Sequence, residues 1–169
     1  MAPKKIIPKI CNDEKEVEII YHPEDYIANR SFKDNPDKFE TYQFHAIYLL
    51  PCEKEDRKFD VEQNINFSIL SINNWLQEKT KDQKISFDKK NDDTIDVTFI
   101  RVNKTMNWFT KFSNNEVGKK NAALKIENII LSNTNLFNNF KKKKFIIFFE
   151  GWEKRTSLFA DICGRSRFN

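Results

Sequence analysis

Glycine occurs only three times in this 169-residue chain, histidine twice and cysteine three times. Each scarcity excludes something. So few glycines, none in a G-x-x-x-x-G-K or G-x-G-x-x-G setting, rule out the usual phosphate-cradling loops. Cys11, Cys52 and Cys163 include no C-x-x-C pair, so neither a zinc knuckle nor a disulfide framework is written here. No run approaches the roughly twenty apolar residues that span a membrane. The opening "MAPKKIIPKICNDEK" carries lysines without the apolar core of a complete secretory segment, and the expectation is a soluble chain.

What is present is bulk. Sixteen Phe and many Ile are too much apolar mass for a solvated chain, and this length fits one domain with a loose extension. The preference for Lys, Asn, Ile and Phe matches AT-rich codons, which explains the bias without invoking function. A net charge of +4 is mild, and basic residues alternate with acidic ones as on an ordinary solvated surface. Composition therefore gives no dedicated nucleic-acid binder.

Residues 1–41 read as a loose arm and an irregular lead-in, with a short edge strand near Val17–Tyr21 that His22-Pro23 breaks. Residues 42–169 read as one α/β domain. Its first strand is "YQFHAIYLL", Tyr42–Leu50, ended by Pro51 and apolar enough to be buried on both faces. Asp60 fits the N-cap of a helix over Val61–Lys79, whose stripe is Ile65, Ile69, Ile72 and Leu76 with Trp75 beside it. Lys84–Phe87 and Thr94–Val102 read as two strands of a hairpin, the second alternating with period two. A second helix follows over Glu116–Ser132. The last strand, Phe145–Glu150, reads as central because its apolar residues are consecutive. The expected fold is an α/β, mixed and mostly parallel sheet of about four or five strands with two covering helices.

Candidate chemistry is sparse. His22, His45, Cys11 and Cys52 are the available metal donors, but none pairs with another at the short spacing that lets one turn present two ligands. For His45 the plainer reading is an imidazole hydrogen-bonded on the sheet. Cys52 with His45 could form a nucleophile pair, yet nothing in the sequence orients it. Glu150 closes the last strand, where α/β crevices lie, and with Trp152, Arg155 and Asp161 it could line a site. A lone strand-end carboxylate is more often ion-paired. The run Lys141–Lys144 could hold phosphate, or act as charged gatekeepers beside an apolar strand. Trp75, Trp108 and Trp152 read as packing residues. If the chain is exported, one disulfide is open to it, and Cys52 with Cys163 is the expected pair.

Four segments, "HAIYLLP", "FDVEQNINFSILSINNWLQEKT", "ISFD" with "DTIDVTFIRV", and "KKFIIFFEGW", occur in that succession between His45 and Trp152, with Cys163-Gly164 beyond. Together they resemble a group of bacterial proteins, often exported, that carry a metallopeptidase-like domain of the metzincin type. The resemblance covers about Tyr42 to Gly164 and marks scaffold. It implies the upper part of such a domain, a zinc cofactor in full-length relatives and a peptide or protein substrate. It also implies a later His-Glu-x-x-His helix, whose histidines would hold zinc while the Glu activates water. This sequence has no His after His45, so the resemblance carries no catalytic or metal residue onto it.

Peptidase activity is accordingly not expected from these residues alone, and a non-catalytic interaction module is the competing reading. A chain ending before the active-site helix, a shortened paralogue, or a likeness of fold alone would each explain the missing motif. The first is favoured, because a last strand without its covering helix would leave one sheet face open.

Overall fold

The computed structural model describes residues 10–111 and 116–150. Its strands are β1 (Ile19–Ile20), β2 (Gln43–Pro51), β3 (Val97–Val102) and β4 (Lys143–Phe149). Its α-helices are α1 (Asn64–Lys79), α2 (Met106–Thr110) and α3 (Glu116–Ser132). The strands make one sheet in the order β1-β3-β2-β4. β3 and β4 flank β2 in parallel, and β1 lies antiparallel on β3. The fold is thus α/β with a mixed, mostly parallel sheet.

From β2 the chain crosses to β3 on one side, and from β3 it crosses back to β4 on the other. Right-handed crossovers in opposite directions place their helices on opposite faces. The core divides accordingly. Ile47, Leu49, Ile100, Val102, Ile147 and Phe149 pack against Phe109 of α2 and Ala122, Ile126, Ile129 and Ile130 of α3. Ala46, Tyr48, Leu50, Val97, Phe99 and Phe148 pack against Ile65 and Ile69 of α1. Both faces are covered, so the open face expected from a missing helix does not occur among the described residues.

Two-sided cover also explains β4. Its consecutive apolar residues feed alternately into the two cores, as period two requires. They do not make it central: among the described residues β4 is an edge strand. An uninterrupted apolar run reports two covered faces, not two paired edges.

The start of α1 lies three residues later than the sequence suggests. Asp60 does not cap it, because both its carboxylate oxygens accept from Arg30, at 2.7 Å each. Residues 58–62 close a turn of their own, Lys58 O accepting from Val61 N and Glu62 N, and Gln63 enters the helix at φ 65°. Trp75 does not pack. It is 59% exposed, while Ile65 and Ile69 are sealed.

The Lys84–Phe87 strand reduces to a bridge from Phe87 to Phe44. A second bridge, Lys89 to Ile95, with Lys90 N donating to Thr94 O, closes the expected hairpin.

The lead-in is irregular but fixed. Phe99 N donates to Ser31 O at 2.8 Å, and Asp34 N donates to Leu136 O at 3.0 Å. Buried Asp25 holds Arg101 of β3 through paired bonds of 2.8 and 2.6 Å. Arg30 lies 3.9 Å above the Phe99 ring while binding Asp56 and Asp60.

This register of α1 has a direct check. Ile69→Ala should cost about 2–5 kcal/mol in urea unfolding. Trp75→Ser should change stability by no more than about 0.5 kcal/mol.

Candidate functional site

At the amino-terminal ends of β2 and β4 the sheet encloses charge. His45 on β2 and Lys143 on β4 point into a space closed by Asp34 and Asp37 of the lead-in and Asp88 of the bridge segment. All of these side chains are buried. The local reason is register. β2 alternates its residues between two faces, and His45 falls on the face that the lead-in crosses.

His45 is held at both nitrogens. Nδ1 lies 2.9 Å from Asp88 Oδ2, and Nε2 lies 2.8 Å from Thr98 Oγ1 on β3. The Lys143 ammonium donates to Asp34 and Asp88 and lies 2.7 Å from Asp37 Oδ1. Asp96 beside them accepts from Asn35 N and Nδ2, both at 2.8 Å. The lead-in is therefore tied to β4 through Lys143 and to the residue preceding β3 through Asp96, with Asp34 3.6 Å from His45 of β2.

The neighbouring carboxylates Asp34 and Asp88 are pushed in opposite directions. Burial raises Asp34 to about 7, a shift reinforced by the Asp88 charge and only partly offset by His45 and Lys143. Burial also works against Asp88, but hydrogen bonds from His45 and Lys143 outweigh it and hold Asp88 below the ordinary range. Lys143 is raised: burial disfavours its charge, and the hydrogen bonds it donates to Asp34, Asp37 and Asp88 more than compensate. A proton entering the cluster goes to Asp34.

Donor atoms of Asp34, His45, Asp88 and Asp96 lie within 4.8 Å of one another, the spacing of a metal site. The set does not fit zinc. The Lys143 ammonium already bonds two of the four and supplies the positive charge an ion would bring. Nor does His45 fit a general base, since it is fully buried and both its nitrogens are engaged. The arrangement can hold a proton and clamp a segment.

The candidates read from the sequence are dispersed. Cys52 follows the far end of β2, about 20 Å from His45 along the strand, so no nucleophile pair forms. His22 stands apart, with Nδ1 3.1 Å from Glu24 and its backbone N–H donating to Asp25. The expected Cys52–Cys163 bridge is corrected: Cys52 is bonded to Cys11. Asn12 N donates to Asn103 O, which lays the arm along the end of β3 and brings the Cys11 and Cys52 Cα atoms to 5.6 Å. Closing a loop of 41 residues stabilises the fold by about 4 kcal/mol on the chain-entropy account.

Glu150 is ion-paired, accepting from Arg57 at 2.8 and 2.5 Å. Trp152, Arg155, Asp161 and Cys163 lie outside the described residues. The lysine run does not present one basic face. Lys143 is buried among carboxylates, Lys142 reaches Glu40 O at 2.8 Å, and Lys144 lies 6.0 Å over the Phe44 ring. Trp108 is half-buried against the core, with the Lys125 ammonium 4.5 Å from its ring. Sequence reasoning missed Asp34, Asp37 and Asp88, which stand in polar stretches like any solvated acids. The one available signal was Lys143, a charge directly abutting a buried strand.

No protein-family model matches this chain, and neither a curated protein nor a solved structure matches it.

The cluster sets a pH dependence. Asp34, raised in the folded state, contributes stability that is full below its unfolded value of 3.8 and is lost as pH rises through about 7. Asp88, lowered, contributes stability present above that value and lost as pH falls. The melting temperature should therefore fall from about pH 4 to about pH 7, level off above that, and fall separately in acid below about pH 4; Asp34→Asn should flatten the first limb alone. Lys143→Met leaves buried carboxylates without their cation, at a cost of about 3–5 kcal/mol. That loss should be largest at pH 8 and shrink at pH 5, as chemical denaturation at the two values would show.

Proposed function

We propose that this chain is the sheet-bearing part of a zinc-metallopeptidase-like domain and has no peptidase activity from its own residues. The observation that carries the reading is the connected order of elements. A central strand closing on Leu-Pro (β2) leads to a helix bearing a Trp (α1). A parallel neighbour beginning Val-Thr-Phe (β3) follows, and an apolar strand lies on the far side of β2 (β4). The resemblance implies this succession with one further strand between α1 and β3, a place held here by the Phe87 bridge to Phe44.

The chemistry of the donors supports the second half of the proposal. Cys11 and Cys52 are consumed by their disulfide, His22 pairs with Glu24, and His45 lies between Asp88 and Thr98. A catalytic zinc needs three protein ligands and an open position for water. Among the described residues no set offers both, and none of them has the means to activate a water.

A non-catalytic interaction module is the second reading, favoured by one observation. Phe67, Leu70 and Trp75 stand exposed on the solvent side of α1. If that reading holds, Trp75→Ser abolishes capture of a partner while leaving stability unchanged.

Zinc titration of the purified, oxidised chain should show no stoichiometric binding tighter than the micromolar range, and casein or a peptide library should remain intact. Tight one-to-one binding, or hydrolysis suppressed by a chelator, overturns the inactivity. Reading the gene past codon 169 tests the kinship: an in-frame His-Glu-x-x-His supports it, and its absence from every downstream frame sinks it.

A further inference from the structure

β2 and β3 are parallel neighbours, with Pro51 in register with Val102. Their onward connections leave for opposite faces, β2 into α1 and β3 into α2 and α3. In open α/β sheets, this arrangement leaves a crevice beyond the carboxyl ends of the two strands, the usual place for a ligand. Here residues 11–16 of the chain's own arm lie in it.

The arm is bound there as a ligand would be. Lys104, just past β3 and only 1% exposed, directs its ammonium at the carbonyl oxygens of Asn12 (2.7 Å) and Lys15. The Asp13 carboxylate accepts from Thr105 N at 2.8 Å and Thr105 Oγ1 at 2.5 Å. Asn103 Nδ2 donates to Glu16 O at 2.9 Å. These contacts are polar, replaceable by water, and confined to one short segment. The covalent element is the Cys11–Cys52 bond at the head of the arm, where Cys11 is partly exposed and Cys52 is buried.

We propose that residues 11–16 are a disulfide-latched strap over the crevice at the ends of β2 and β3, which opens when Cys11–Cys52 is reduced. The co-reactant is a dithiol. Its thiolate attacks Cys11 Sγ, the accessible sulfur, and Cys52 leaves as a thiolate that takes up a proton. The second thiol of the reductant then displaces Cys11 from the mixed disulfide. Two cysteine thiols result, the dithiol leaves as its own disulfide, and two electrons have passed to the protein. The sheet keeps both covered faces, because the cores on α1 and α3 contain no arm residue. Lys104 loses its carbonyl partners and meets solvent. The inference does not rest on the metallopeptidase-like reading.

The test uses the full chain, isolated from an oxidising compartment and compared with and without dithiothreitol. Amines are acetylated briefly with an N-hydroxysuccinimide ester, Lys104 modification is read by peptide mass spectrometry, and far-ultraviolet circular dichroism is recorded in parallel. Reduction should raise Lys104 acetylation at least tenfold with the secondary structure retained. Cys11→Ser should show the raised level without reductant; should that variant not fold, reduction of the unaltered chain decides alone. Equal protection of Lys104 in both states overturns the latch, because the arm then needs no bond. Loss of the dichroism signal on reduction overturns it too, since the bond would then be a staple of the whole fold. Free Cys11 and Cys52 thiols in the isolated protein would mean that the latch never forms.

Discussion

A lysine ammonium enclosed by three aspartates is the interaction on which the lower end of this molecule depends. Lys143 belongs to β4, Asp88 to the segment bridging β2, and Asp34 and Asp37 to a lead-in with almost no regular structure. Irregular chain has no ladder to hold it, so side chains must fix it to the sheet. Charges do so directionally, and only as a set. A buried carboxylate without its cation costs several kcal/mol, and so does the cation without its carboxylates. That mutual dependence gives the cluster its specificity, because any other path for residues 31–38 would strand a charge in the interior.

The same device recurs along the lead-in. Asp25 with Arg101, and Arg30 with Asp56 and Asp60, pin successive stretches against β3 and the loop after β2. At the opposite end of the sheet, Lys104 and the Cys11–Cys52 bond hold the arm. The apolar core settles which helix covers which face. Ionic pairs and one covalent bond settle where residues 11–38 run.

β2, β3, α1 and α3 were legible in the sequence, whereas α2 was not read there and the Lys84–Phe87 strand is only a bridge. The apolar second half of β2, the four-and-three spacing in α1 and the period-two alternation through β3 each record a local periodicity that burial imposes. The placement of α3 agrees for the same reason. The errors share a cause. Asp60 looks like an N-cap until Arg30, thirty residues earlier, takes its carboxylate. The β4 run looks central because covered faces and paired edges leave the same apolar signature. The disulfide depended on which segment crosses the end of β3, and thiol spacing carries no information about that.

The candidate site was the least legible part. His45 reads in the sequence as an imidazole hydrogen-bonded at the sheet surface; it is hydrogen-bonded but fully buried, and its partners Asp88 and Thr98 are 43 and 53 residues away. The absence of a paired-ligand zinc motif, the two-sided burial of β2 and the amphipathic helices followed from residue types at short range, where local chemistry decides. The ordering of strands, the opposite shifts of Asp34 and Asp88, the Cys11–Cys52 pairing and the filling of the crevice by the arm belong to tertiary structure alone. Each arises between groups that only the folded chain brings within a few ångströms, and electrostatics and covalent closure act at that range.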